Sequence, residues 1–147
     1  MDKVKFLLFV VVAALISACS GSDSEKALKG AIGQVNASCP SQVDEVTTMV
    51  GMADDGKMVI YNMALSSAVD ISKDNADDFI AEMKSYTVNG FKTNPEALLF
   101  VETLRDCHRG LRYHYTLASS GDSYDVDLTP EEIAAIAEEA AAKTPSE

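Results

Sequence analysis

The sequence predicts an α+β domain in which a small four-stranded antiparallel sheet, made of two hairpins, carries helices on one face. Residues 111 to 118 alternate between apolar and polar side chains, which is the two-residue period of a half-buried strand. Asp55-Gly56 separates two apolar runs and is typical of a hairpin turn, because glycine tolerates positive φ. Four other segments repeat apolar residues at helical spacing.

The first predicted helix runs from about Glu25 to Ala37. Ser24 can cap its start, and Cys39-Pro40 ends it, because proline cannot continue a helix. Two glycines inside the helix lower its intrinsic stability, so packing against the rest of the domain must hold it.

The first predicted hairpin pairs a strand from Val43 to Met52 with a return strand from Met58 to Leu65. If Asp55-Gly56 forms a two-residue turn, Val50 lies opposite Tyr61 on the buried face. A turn of three residues would reverse the two faces.

Two helices are predicted in the middle of the chain. One runs from about Asn75 to Val88, where Asn89-Gly90 offers a left-handed stop. The next begins at Asn94-Pro95-Glu96, which supplies a capping side chain, a proline at the first position and an acid at the positive end. Gly110 ends it.

The second predicted hairpin pairs a strand from Leu111 to Ala118 with a strand over residues 124 to 128. A turn at residues 119 to 122 places Tyr115 opposite Val126 and His114 opposite Asp127. The solvent-facing side of this hairpin then carries Arg112, His114, Thr116, Asp125 and Asp127.

A terminal helix is predicted from Pro130 to about Lys143. Thr129 and Glu132 form a capping box around a proline at the first helical position. Few large apolar residues follow, so this helix should lie at the surface.

The chain has 147 residues and a formal net charge of -11. That length fits one domain, and 47% hydrophobic residues are too many for a disordered chain. A general nucleic-acid binder is excluded, because phosphate contacts require a basic surface.

The N-terminal segment is typical of an export signal. Lys3 and Lys5 precede an apolar run over residues 6 to 16, which is too short to span a bilayer. The following Ile16-Ser17-Ala18-Cys19 resembles the lipobox of bacterial lipoproteins. The alternative is a plain secretory signal that happens to end near a cysteine.

The lipobox resemblance implies that Cys19 is acylated and becomes the first residue of the mature chain. Ser20 at the next position favours the outer membrane, with the domain on the periplasmic side. The expected organisation is a signal peptide (1–18), a lipidated cysteine and tether (19–24), one α+β domain (25–143) and a frayed tail (144–147).

Residues from about Asp78 to Leu128 resemble the second half of one class of type II secretion pilotins, which are small outer-membrane lipoproteins that escort a secretin. The shared pattern is two helices, a glycine, a strand of alternating aromatics and a return strand. The pilotin cysteines are not matched, because the segment from Val88 to Pro95, just before the second helix of this pattern, contains no cysteine and none follows Leu128. The resemblance implies a role in assisting a secretin.

Cys39 and Cys107 are the cysteines that remain after Cys19. Because an exported chain folds where disulfides form, we expect these two residues to be bridged. The alternative is a pair of buried free thiols.

Arg105, Arg109 and Arg112 interrupt the general acidity of the chain. Guanidinium groups bind carboxylates and phosphates in a bidentate manner, so this cluster is a candidate partner-binding site. The alternative is that these arginines neutralise Asp106, Asp125 and Asp127 within the domain.

The sequence contains no motif for a catalytic site, a metal site or a cofactor. An envelope hydrolase that uses His114 with Asp127 is a hypothesis without an identifiable nucleophile. Acids near the start of the second helix lack the spacing of a calcium loop. We therefore expect a non-enzymatic lipoprotein that binds an envelope protein or assists envelope assembly.

Overall fold

The structure is a computed structural model, and it describes residues 24–143, without the side chain of Lys143. The predicted signal peptide, the lipidated Cys19, the tether up to residue 23 and the tail 144–147 lie outside the described residues. The described helices are α1 (Ser24–Ala37), α2 (Ala76–Thr93), α3 (Pro95–Asp106) and α4 (Pro130–Lys143). The strands are β1 (Ser41–Gln42), β2 (Thr47–Asp54), β3 (Met58–Leu65), β4 (Gly110–Leu117) and β5 (Ser123–Leu128).

The sheet has five strands in the order β1-β2-β3-β4-β5, and β3 and β4 are parallel. The prediction of a four-stranded antiparallel sheet is therefore wrong. Together α2 and α3 return the chain from the end of β3 to the level at which β3 began. As a result, β4 runs alongside β3 in the same direction, from Met58 opposite Gly110 to Leu65 opposite Leu117.

The additional strand, β1, is only two residues long, and it pairs with Met49 and Thr48 of β2. Such a short strand carries no readable period, so its pairing depends on the path of the chain after α1. Alternation in the sequence predicted the other four strands to within a few residues.

A bulge at Val50 changes the predicted register of the first hairpin. Met49 lies opposite Met63 and Gly51 opposite Asn62, so Val50 has no direct partner and its side chain is 53% exposed. Met52 takes the place opposite Tyr61 that the sequence analysis gave to Val50. The extra residue restores the buried phase of the strand.

The second hairpin is shifted by two residues from its predicted register. Its turn occupies residues 118 to 121, one position earlier than expected, and the Leu117 N–H donates to the Asp122 carbonyl at 2.9 Å. His114 therefore lies opposite Asp125, and Arg112 lies opposite Asp127. A shift of two leaves every side chain on its predicted face.

Helix α2 continues five residues beyond its predicted end at Val88. A glycine inside a helix costs about 1 kcal/mol, but the extension buries Phe91 to 1% exposure, which returns about 2 kcal/mol. The predicted caps of the next two helices are present. Asn94 Oδ1 accepts from the Glu96 and Ala97 N–H groups, and Thr129 and Glu132 bond reciprocally at 3.1 Å.

The core lies between the helices and one face of the sheet. Tyr61 and Tyr113 stack with ring centroids 4.9 Å apart, and Phe100 of α3 meets Tyr61 edge to face. Phe79 of α2 meets Tyr115 in the same way. Alternate residues of β3 and β4 are thus buried under the helices, and the residues between them form the opposite face.

Candidate functional site

The face of the sheet that points away from the helices is the candidate site, and we call it the open face. Its side chains form three rows across the strands, because the registers of neighbouring strands bring residues of the same face together. From β2 to β5 the rows are Thr48, Ala64, Thr116 and Ser123; then Asn62, His114 and Asp125; then Ala53, Ile60, Arg112 and Asp127.

One half of the open face, on β4 and β5, carries a ladder of charged pairs. Arg112 Nε and Nη2 donate to the two carboxylate oxygens of Asp127 at 2.8 and 2.9 Å, and Nε lies 3.6 Å from Asp125 Oδ2. His114 Nδ1 lies 2.6 Å from Asp125 Oδ1. The two carboxylates raise the pKa of Arg112, and the main cause is the hydrogen bond that Arg112 donates to Asp127. These side chains are about one-third exposed, so the ladder is accessible to solvent.

The other half of the open face, on β2 and β3, is neutral. Ile60, Asn62 and Ala64 alternate with the buried residues of β3, and each of them is half-buried. Thr48 and Ala53 extend this surface onto β2. The open face thus places a shelf of small and apolar side chains beside a charged ladder. The alternation of residues 58 to 65 could have identified Ile60 and Asn62 from the sequence.

The side chain of Arg109 is bonded to other parts of the domain rather than exposed to solvent. Its Nε donates to Asp54 Oδ1 at 2.8 Å, its Nη2 lies 2.9 Å from Glu25 Oε1, and its Nη1 donates to the carbonyl of Cys107. Its side chain is only 15% exposed. Arg109 therefore joins the start of α1, the β2–β3 hairpin and the end of α3, a group that we call the Arg109 clasp.

The three arginines do not form one surface. Arg105 pairs with Asp106 at 3.1 Å, and Arg112 lies on the open face with Asp127. The structure thus pairs each of them with carboxylates of the domain, as the alternative interpretation expected. The sequence analysis did not find Asp54 and Glu25 as partners of Arg109, because they are 55 and 84 positions away along the chain.

Cys39 and Cys107 are both free thiols, so the predicted disulfide is not formed in the structure. The prediction placed the end of the first helix beside Cys107, but it is the start of α1 that lies there. Ser24 Oγ donates to Asp106 Oδ2 at 3.4 Å. Cys39 follows the other end of this 14-residue helix, about 20 Å away, whereas disulfides need Cα atoms within about 7 Å.

Neither thiol is activated for chemistry. Burial raises the pKa of Cys107 to about 11, and burial also raises the pKa of Cys39. Thiolate is the reactive form, so both groups are poor nucleophiles near neutral pH. In the described part of the chain, no three His, Cys, Asp or Glu side chains come together as a possible metal site.

The hydrolase hypothesis required His114 to be oriented by Asp127, and that pair is not formed. Asp127 is occupied by Arg112, and His114 pairs with Asp125. Within residues 24–143, no hydroxyl or thiol group is hydrogen-bonded to the imidazole of His114.

No protein-family model matches the chain, and no curated protein matches it in sequence. The fold is similar to that of a Pseudomonas aeruginosa protein of known crystal structure, the "putative secreted protein (PA3611)". The TM-score is 0.54 at 11% sequence identity, over 78% of this chain and 99% of that one. This likeness shows the fold alone. The pilotin resemblance of residues 78 to 128 receives no support from these comparisons and stays a prediction.

None of the helices between Ser24 and Lys143 is both long enough and apolar enough to cross a bilayer.

Proposed function

We propose that this chain is an acylated envelope lipoprotein, anchored through Cys19 to the outer membrane, whose domain binds another envelope protein through its open face. The role is binding or assembly rather than catalysis. The lipobox-like Ile16-Ser17-Ala18-Cys19 supports the anchor. The structural neighbour in P. aeruginosa has the word "secreted" in its name, which fits an exported protein.

The observation that carries the binding role is the uncovered face of the sheet. All-parallel sheets are usually covered on both faces, whereas a sheet with antiparallel pairs, such as this one, can leave one face to solvent. Here the buried side chains of all four longer strands lie on the helix side. The half-buried shelf around Ile60 therefore lies on the face that no helix covers within the described residues, where it is accessible to a partner.

The chemistry of the open face supports binding over catalysis. A catalytic site needs a nucleophile or general base held in a recess, whereas the charged groups here lie in matched pairs on a surface. A partially apolar shelf with a charged margin resembles the centre and rim of a protein interface. We therefore expect a protein partner that presents apolar side chains to β3 and polar groups to the ladder.

Substitutions on the open face test this proposal. Ile60→Lys and Thr116→Arg place charge on the shelf and beside the ladder, and each should reduce recovery of the partner from envelope extracts at least about ten-fold. Leu99→Lys is the matched control, because Leu99 is 40% exposed on α3, on the helix side. Thermal unfolding verifies that the variants are folded. If the folded open-face variants recover as much partner as the control does, the open face is not the binding site.

The anchor is tested separately by labelling with a fatty acid. Wild type should incorporate the label, and Cys19→Ala should not. Incorporation by Cys19→Ala at the wild-type level would contradict acylation at this cysteine.

A further inference from the structure

The described chain begins at one end of the sheet, beside the Arg109 clasp. Ser24 is hydrogen-bonded to Asp106 at the end of α3, and Gly110 N–H donates to the carbonyl of Lys57 in the β2–β3 hairpin at 2.8 Å. We call this region the anchor end. Four residues lie between Cys19 and Ser24, and the five steps from one Cα atom to the other can span at most about 18 Å. An anchor at Cys19 therefore holds this end close to the lipid headgroups.

Three acids at the anchor end are paired with arginines of the domain. Arg109 binds Asp54 and Glu25, and Arg105 binds Asp106. The hydrogen bond from Arg109 is the main reason that the pKa of Asp54 is lowered. These pairs reduce the negative charge of the anchor end, and Asp55 in the hairpin turn remains there as an exposed carboxylate.

Three lysines at the anchor end, unlike the arginines, form no ion pair among the described residues. Lys26 and Lys29 are exposed on α1 and line a depression of about 510 Å³ together with Glu25, Ile32 and Asp54. Lys57 is exposed in the hairpin turn. None of these three ammonium groups lies within 4 Å of a carboxylate in the described part of the chain. They are therefore available to an anionic partner.

The opposite end of the sheet is acidic. It is formed where Thr47, Leu65 and Leu117 lie side by side. The segments next to this end, residues 43–46, 66–78 and 118–122, carry a single basic residue, Lys73. Their acids are Asp44, Glu45, Asp70, Asp74, Asp77, Asp78 and Asp122.

We propose that Lys26, Lys29 and Lys57 contact the headgroups of an anionic bilayer, so that the domain stands on its anchor end with the acidic end away from the membrane. This inference rests on the proposed anchor at Cys19. Each lysine near an anionic surface gains attraction, while the acidic end is repelled, and the two effects favour the same orientation. The open face is then presented sideways, where it is accessible to a neighbouring membrane protein.

Amine labelling of the acylated protein on vesicles tests this orientation. On phosphatidylcholine vesicles that contain phosphatidylglycerol, labelling of Lys26, Lys29 and Lys57 should fall several-fold relative to Lys73, which is also exposed in a loop. On pure phosphatidylcholine, or in high salt, the difference should disappear, because salt screens exposed charges. Equal labelling of Lys57 and Lys73 on the anionic vesicles would overturn the proposal.

A pair of variants separates orientation from anchoring. In Lys26→Gln/Lys29→Gln, Lys57 should lose most of its protection, while in Lys73→Gln it should keep it. If the protein floats with the vesicles but both variants protect Lys57 like wild type, the orientation is wrong and the anchor stands. If the wild-type chain is not acylated and does not float, both proposals fail.

Discussion

Gly110 lies where β4, the end of β5 and the start of α4 come closest. A Cβ atom at this position would lie 2.5 Å from the Leu128 carbonyl oxygen and 2.6 Å from Met58 Sδ. The methionine could move, but the backbone oxygen could not without disturbing the sheet. Gly30, in α1, has no atom within 4 Å of an added Cβ.

These two glycines should therefore respond in opposite ways to alanine. Gly110→Ala should lower the free energy of unfolding by about 1–3 kcal/mol, because the new methyl group overpacks the contact. Gly30→Ala should raise it by about 0.5–1 kcal/mol, because alanine is the better helix former. Urea unfolding measures both, and a Gly110→Ala variant as stable as wild type would show that the contact can relax.

Arg109 is held in its clasp by the way α3 ends. His108 has a positive φ of 56°, and the Arg109 N–H donates to the Leu104 carbonyl at 2.9 Å, which turns the chain towards β4. Because Asp54 has a lowered pKa, its contribution to stability is complete above the ordinary pKa of an aspartate. It is lost as the pH falls through the lower pKa of the folded state.

Arg109→Gln should accordingly cost about 2 kcal/mol of unfolding free energy at neutral pH. The difference from wild type should shrink as the pH falls from about 4, the ordinary pKa of an aspartate, through the lower pKa of Asp54 in the folded wild type, because Asp54 is then protonated in both proteins. Unfolding in urea at a series of pH values checks this. Arg105→Gln, which removes the exposed pair with Asp106, serves as the control and should change little. A difference that stayed constant into acid would contradict the role of Asp54.

At the scale of elements, the edge of β2 is protected by a side chain. Asn36, near the end of α1, donates to the Met52 carbonyl at 2.8 Å and accepts from the Met52 N–H at 2.7 Å. The amide group thus takes the place of a neighbouring strand beyond the short β1. Exposed edges invite pairing with other chains, so this contact closes a vulnerable part of the sheet.

Asn36→Ala should lower the free energy of unfolding by about 1–2 kcal/mol, because two backbone groups of Met52 lose their partner. Hydrogen exchange should show faster exchange of the Met52 amide, with the Tyr61 amide little changed. Gln34→Ala, on an exposed position of the same helix, is the control. Unchanged exchange at Met52 would show that Asn36 does not protect the edge.

Elements with strong local signals were predictable from the sequence. Asn94-Pro95 and the Thr129–Glu132 capping box each determine a helix start through contacts within a few residues. The end of α2 was not predictable, because it depends on the burial of Phe91 against distant parts of the chain. The bulge at Val50 was not predictable either, because it depends on the register in which β2 pairs with β3.

At the scale of the whole molecule, the direction of β4 could not be predicted from alternation. Tyr113 and Tyr115 alternate in the same way in a parallel and an antiparallel strand, and the path of α2 and α3 decides between them. The charged half of the open face was predictable, because the two-residue shift in the second hairpin preserves the face of Arg112 and His114. The acid that pairs with each of them was not predictable, because it depends on the exact register between β4 and β5.

The central claim is that the open face is the binding surface of an anchored envelope domain. In-cell photo-crosslinking tests it most directly, with a photoreactive amino acid at Thr116, exposed on the open face, or at Leu99, exposed on the helix side. We predict one dominant crosslinked product from Thr116, in the membrane fraction, and none from Leu99. Crosslinking from Leu99 alone, or equal and diffuse products from both positions, would contradict the claim.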